Sequence, residues 1–458
     1  VLALVLLAVV SISTRQTTSM PPTSWGTSAV APASAESSAF TCAGFTEGAS
    51  SSAPGSVLLT NAGPSAASVG VTVFDDLNQR TSFLVTVPSG RTIAVDISAR
   101  LSGGSAVAAD LVVDGGGVGV SEQIERSGEA TTTPCASSTS PTWYLTGGIT
   151  PEFASLSYAL VNPSATPAVV DVSFSTANGL VVPPAAQGLV VRARGMVVLL
   201  TDQVLPHEDI LGATVSATQG SIVAFATQQT TSPPGTSVSL GQSVMSTSWY
   251  LAQAVATPGV TSSLVIDNPA STPSDVTVRV QLATGPVTPW TQSVAAHTIW
   301  KLDVSPASRV PLTDTFAATV TATGAGVAAV LLTQVPHAGS GGWGVVPLVQ
   351  PAATQPDSWL LPGSLASTPL GITLRAVGTR ANVTVSVLKR HGRLPIPGLT
   401  GVTIAPGALY VLPPAALAAI AGHPVVVSSS GALSVGEDLP GGAAPGTATI
   451  SGLPLRPN

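Results

Sequence analysis

Along much of the chain, apolar and polar side chains alternate with a period of two. Val170, Val172 and Phe174 fall on one face of a segment whose other face carries Asp171, Ser173 and Ser175. Val276, Val278 and Val280 alternate in the same way with Thr277, Arg279 and Gln281, as do Val383, Val385 and Val387 with Thr384 and Ser386. Strict alternation rich in β-branched residues is the pattern of a half-buried strand. The stretch from Thr142 to Gln228 holds about seven such segments, near 142–146, 156–161, 169–175, 188–192, 195–200, 212–218 and 222–228. Asn162-Pro163, Asn178-Gly179, Pro183-Pro184 and Gln219-Gly220 punctuate them as turns. Seven short strands in about a hundred residues predict an immunoglobulin- or fibronectin-like β-sandwich. Helix is scarce, and the best candidate is Pro414 to Ala421, which opens on Pro and is followed by Gly422.

The pattern recurs. Trp143-Tyr144-Leu145, Trp249-Tyr250-Leu251 and Trp359-Leu360-Leu361 repeat at a period of about a hundred residues, and Cys42 takes the place of the first Trp in an earlier copy. Asn61, Asn162 and Asn268 form a second marker, absent from the last copy; Gln123, Gln228 and Gln334 form a third, with Glu437-Asp438 in the last copy. The expected map is four tandem sandwiches: repeat 1 over 39–139, repeat 2 over 140–245, repeat 3 over 246–355 and repeat 4 over 356–458. A β-propeller is the alternative, but its blades would show markers about every fifty residues. The segments Thr131–Pro141, Thr230–Thr247 and His337–Asp357, rich in Pro, Gly, Ser and Thr, read as exposed joints. The sandwiches would then be separable, and stacked end to end they would span on the order of 130 Å.

The N-terminus departs from this pattern. Residues 1–13, opening on the apolar run Val1 to Val10, read as a signal peptide or membrane anchor, and 14–38 as a Ser/Thr/Pro/Ala-rich linker. Composition then narrows the partners. Charged residues make up 8% of the chain, the net charge is -6 and the mean hydropathy is +0.46. So weak and negative a field offers nothing to a phosphate backbone, and nucleic acid is not an expected partner. Cys42 and Cys135 are the only cysteines and neither has metal-ligand spacing to a His. In an oxidising compartment they are expected to pair, closing a long loop worth about 4 to 5 kcal/mol on the chain-entropy model.

The candidate chemistry is sparse. Gly339-Ser340-Gly341-Gly342-Trp343-Gly344 matches a dinucleotide fingerprint, but Pro347 and Pro351 follow where a helix should open, so it reads as linker. His207, His297, His337, His391 and His423 show no ligand pairing, and Pro206-His207-Glu208-Asp209 reads as a solvated connection. Asp96, Asp202 and Asp303 recur at the repeat period, as structural caps do and catalysts need not. Trp143, Trp249 and Trp359 read as core plugs by their recurrence; Trp290, Trp300 and Trp343 do not recur and are candidates for an exposed aromatic surface. No catalytic, cofactor-binding or metal-binding residue is expected, and no cofactor.

The Cys or Trp-Tyr-Leu opening, the Asn-Pro turn, the closing Gln and the apolar N-terminus together resemble an uncharacterised family of actinobacterial secreted or membrane-anchored envelope proteins, a domain of unknown function. That resemblance implies an extracytoplasmic location and brings no site residues. The expected role is a non-catalytic, tethered scaffold or adhesion-like module of the cell envelope. A carbohydrate-binding accessory protein for cell-wall polymer assembly is the alternative. Its partners would be envelope proteins or cell-wall glycan, with membrane contact only through the N-terminal segment.

Overall fold

The computed structural model describes residues 28–46, 55–126, 129–232, 234–256, 258–305, 309–312, 315–334, 343–350, 357–362, 369–390, 392–438 and 449–456. The expected signal peptide or anchor, residues 1–13, lies outside them, as does the linker up to residue 27. Among the described residues no helix is long and apolar enough to cross a membrane.

The chain is all-β, built of antiparallel sheets packed in pairs; two of the sheets are joined edge to edge into one nine-stranded sheet by a single parallel pairing of Thr176 with Thr298. The first pair uses β1 (Ser37–Thr46), β2 (Gly55–Asn61), β3 (Ala67–Asp75), β4 (Arg80–Val87), β5 (Thr92–Asp96), β6 (Ala106–Asp114), β7 (Val118–Arg126) and β8 (Glu129–Pro134). One sheet runs β1-β6-β3-β4 and the other β5-β2-β7-β8. Pairing β1 with β6 and β2 with β7 nests one long connection inside another, as in double Greek keys. The same order is met again from Thr142–Gly148 to Pro234–Leu240, from Ser248–Val255 to Trp343–Pro347, and from Ser358–Leu361 to Thr449–Ser451. The predicted short helix is present as Pro414–Ile420.

Each pair of sheets carries at least eight strands where seven were expected: eight in the first, nine in the second and third, where one edge strand is split in two, and ten in the fourth. The eighth is drawn from the segments expected to be exposed joints: β8, Pro234–Leu240 and Trp343–Pro347 each hydrogen-bond along the outer edge of a sheet. Their Ser and Thr content suggested loops. It serves instead to cap edge backbone from the neighbouring unit, since Thr133 Oγ1 accepts from Leu240 N (3.3 Å) and Ser237 Oγ from Val345 N (3.0 Å).

Register identifies equivalent core positions. Trp143 pairs with Val215 and Val215 with Val172; Trp249, Val320 and Val278 form the same row, as do Trp359, Val427 and Val385. In the first sandwich this row is Phe40, Leu111 and Val71. Phe40, not Cys42, is therefore the counterpart of the tryptophans, and Cys42 matches Leu145. Thr41-Cys42 imitates Thr142-Trp143 in sequence, which displaces the apparent match by two residues.

The sandwiches do not stack end to end. The outer face of β1 packs on strands Ala154–Asn162 and Val223–Thr231, where Thr227 Oγ1 donates to Gly44 O at 3.1 Å. Thr142–Gly148 packs likewise on Thr261–Asn268 and Ala328–Gln334, and Ser248–Val255 on Gly371–Ala376 and Leu433–Asp438. The series then returns to its start: Leu360, on Ser358–Leu361, covers Gly119 of β7, where a Cβ would sit 2.7 Å from Leu360 Cδ2. A head-to-tail contact repeated with one rotation closes into a ring. The closure is fastened by residues expected to be linker. Val30, fully buried, donates to Pro454 O (2.9 Å) and accepts from Arg456 N (3.1 Å), and Gly117 N donates to Ala31 O (2.9 Å). Short apolar segments such as Ala29–Ala31 carry no strand signal of their own, so this latch was invisible to periodicity.

Candidate functional site

The ring has an axis, and the edge strands β8, Pro234–Leu240, Trp343–Pro347 and Thr449–Ser451 converge on it. They line an open cavity of about 140 Å³. Thr132, Thr133, Ser243 and Ser451 line it together with Leu240, Val346, Ile450 and Leu453, and none of the described residues that line it is ionisable. Beside it Gln242 acts as a rivet: its amide donates to Ala329 O (2.9 Å) and Leu348 O (3.0 Å) and accepts from Ala329 N (3.1 Å). Such a wall can hold a neutral molecule by dispersion and single hydrogen bonds.

Ionisable groups sit instead inside the walls. Asp267 lies in the junction between the second and third sandwiches, its carboxyl pressed against Gly212. Burial raises its pKa to about 7; the nearby Ser175 and Thr146 hydroxyls temper the shift without completing a hydrogen bond to either oxygen. Its charge in turn adds to the burial that raises the Tyr144 and Tyr158 phenols. At the next junction Arg375 donates from Nη1 to Ala318 O (3.0 Å) and stands 6.0 Å from the Tyr250 ring. Burial lowers its pKa.

The first sandwich holds the densest cluster. Cys42 and Cys135 are joined, with Sγ–Sγ 2.05 Å and Cα–Cα 4.8 Å. Cys135 follows β8 where the chain crosses to the opposite sheet, and Thr41 and Ala136 exchange backbone hydrogen bonds there (2.8 and 2.9 Å). Glu122 of β7 points into the same core; one of its carboxylate oxygens and both Sγ atoms all lie within 4.8 Å of one another. Glu122 is wholly buried and neither of its oxygens has a hydrogen-bond partner. Burial drives its pKa well above the usual carboxylate range; the Ala43 backbone tempers this but completes no hydrogen bond.

The other sequence candidates are dispersed. Trp143 and Trp249 are buried, and their indole N–H groups donate to Ile222 O (2.8 Å) and Val327 O (2.7 Å); Trp359 is buried as well. Asn61, Asn162 and Asn268 are buried clamps on one plan. Each amide donates across its turn, to Ser65 O (2.8 Å), Thr166 O (2.7 Å) and Thr272 O (2.9 Å), and to a second strand at Val87 O, Val191 O and Val294 O. Gln123, Gln228 and Gln334 share no common role: they contact Glu125, Ser155 and Lys301 respectively. Asp96, Asp202 and Asp303 accept from Ala99 N, Leu156 N and Ser263 Oγ. His207 lies in a left-handed turn (φ 66°), with its N–H on Thr150 O. Trp343 is not exposed; it is buried in the junction cluster with Ile149 and Val330, while Trp290 and Trp300 are half-buried. Gly339 and Gly341 lie outside the described residues, and Trp343-Gly344 opens a strand, not a helix.

Glu122 and Asp267 were missed, though a signal existed for the first. Val118, Val120, Glu122 and Ile124 share one face, so the alternation itself puts a carboxylate in the core. Asp267 had none, because its face is buried only by the neighbouring sandwich.

Residues 127–305 match the model of a family of unknown function, DUF5719. No curated protein matches the chain. Three solved structures are similar in part. The Thermotoga maritima protein 1070 is 9% identical, covers 24% of this chain and 98% of its own, with a TM-score of 0.22. The Anabaena sensory rhodopsin transducer is 17% identical over 19% of this chain and 80% of its own, with a TM-score of 0.17. A tetra-tandem repeat from the extending region of a large adhesion protein is 13% identical over 84% of this chain and 91% of its own, with a TM-score of 0.11. At such TM-scores none of the three carries an argument about this chain. What the comparisons do establish is that its middle contains an uncharacterised domain.

Proposed function

We propose that the protein is a non-catalytic, exported component of the cell envelope, a scaffold that offers its rim and faces to other envelope proteins. The observation that carries this reading is the buried Cys42–Cys135 disulfide, since bonds of this kind form and persist in oxidising compartments. A surface poor in charge and a body held together by interlocked sandwiches suit a rigid spacer better than a turnover machine. Fractionation of native cells followed by non-reducing peptide mapping tests it. The expected result is an envelope fraction in which the peptides of Cys42 and Cys135 are linked; free thiols in a cytoplasmic fraction would overturn it.

The axial cavity favours a second reading, a carbohydrate-binding accessory protein. Neutral hydroxyls beside aliphatic side chains match the mixed polarity of a sugar ring. Pull-down on insoluble cell-wall polysaccharide separates the two readings: retention abolished by Ser451→Trp, which fills the cavity, supports the second, and no retention supports the first.

A further inference from the structure

An unpaired carboxyl in an apolar sandwich core costs stability, and such a group in a native protein calls for a reason. Among the described residues no cation bears on Glu122. β2, which supplies Val57 opposite Glu122, carries no ionisable side chain, and neither do Val223–Thr231 and Pro234–Leu240 packed outside. On β6, Asp110 accepts from Thr41 Oγ1 (2.8 Å) and feels Arg194, but Thr41 alternates with Cys42, so this group lies on the opposite face. On β7 itself Glu125 is exposed and bonded to Gln123. Among the described residues, the titratable or sulfur groups clustered with the Glu122 carboxylate are the two cysteines, with one carboxylate oxygen and both Sγ atoms within 4.8 Å of one another.

We propose that Glu122 is the proton acceptor for closure of the Cys42–Cys135 disulfide, making the first sandwich a self-assisted oxidative fold. A thiolate, not a thiol, attacks sulfur, and burial raises a thiol's pKa, so closure within a collapsing apolar core is slow without a local base. One cysteine first exchanges with a small-molecule or protein disulfide, RSSR, giving a mixed disulfide and RSH. As β7 and the crossing after β8 come together, the Glu122 carboxylate takes the proton of the remaining thiol. That sulfur attacks the protein sulfur of the mixed disulfide, the Cys42–Cys135 bond forms, and RS⁻ leaves. The dithiol has lost two electrons to RSSR, one proton has left with RSH, and the other stays on Glu122. The product is a neutral carboxylic acid in the core, in keeping with the raised pKa of that group once folded.

The test is refolding of the reduced full-length chain with oxidised glutathione, trapping thiols over time between pH 6 and 9. Glu122→Gln, neutral like the final acid, is expected to close roughly tenfold or more slowly near pH 6.5 and to approach the parent rate near pH 9, where thiolate forms unaided. Glu122→Asp is expected to restore part of the rate at pH 6.5. Oxidised Glu122→Gln should melt at or above the parent temperature, which separates loss of a base from loss of fold. Equal rates at all pH values would overturn the proposal, and so would a slowing that does not vary with pH. Should Glu122→Gln not fold, the Glu122→Asp profile decides alone: a pH dependence identical to that of Glu122→Leu would overturn it.

Discussion

At the residue scale the clearest quantities are those of groups that leave a hole or a charge behind. Trp249 fills the third core and spends its one N–H on Val327 O, so Trp249→Ala should destabilise by about 3 to 5 kcal/mol in denaturant unfolding. An unchanged midpoint would show that the ring is not a core plug. Asp267 makes a pH-dependent statement. Its pKa is raised from 3.8 to about 7 in the fold, so the unfolded chain loses its proton first as pH rises. Stability tied to this group is therefore complete below pH 4, falls between pH 4 and 7, and is flat above. Asp267→Asn should remove that slope and raise stability at pH 8 by a few kcal/mol, on the order of the shift it abolishes. Urea titrations at pH 5 and pH 8 would check it, and an unaltered slope would assign the pH dependence elsewhere.

At the element scale, the alternation of Val170, Val172 and Phe174 is enough to predict a half-buried strand, and Ala168–Thr176 is one. Period-two reading works wherever one face meets the strand's own core. It fails at the eighth strands, whose Thr-Thr-Thr and Ser-Val-Ser runs look like loops because their burial comes from the next sandwich. It fails also at Asp267 and Trp343, whose partners lie across a junction, whereas Glu122 was legible from its apolar companions. The edge capping can be tested locally. Ser237→Ala deprives Val345 N of its acceptor and should cost about 1 kcal/mol, with faster hydrogen exchange at the Val345 amide. Exchange as slow as in the parent would mean that the edge is sealed by other contacts.

At the scale of the whole molecule, closure into a ring changes what a solution measurement should see. A compact body of this length has a radius of gyration of about 23 Å, whereas a rod on the order of 130 Å long would approach 40 Å. Small-angle scattering distinguishes them, and Val30→Asp, which places a charge in the fully buried latch, should shift the first value toward the second. A scattering curve indifferent to this substitution would locate the closure in the sheet junctions alone.

The latch also determines how the protein bears mechanical load. Tension applied to the two sides of the clasp enters the body at Val30 and Leu455, adjacent residues in space. It is resisted first by the backbone bonds of Val30 to Pro454 and Arg456, not by the four cores in series. The two segments run parallel, so the load falls on these few bonds together, and they yield before a sandwich sheared across all its strands. Under strain the ring would therefore open first at the clasp, with each core and each remaining sheet junction still shut, and would close again when slack returned Val30 to its slot.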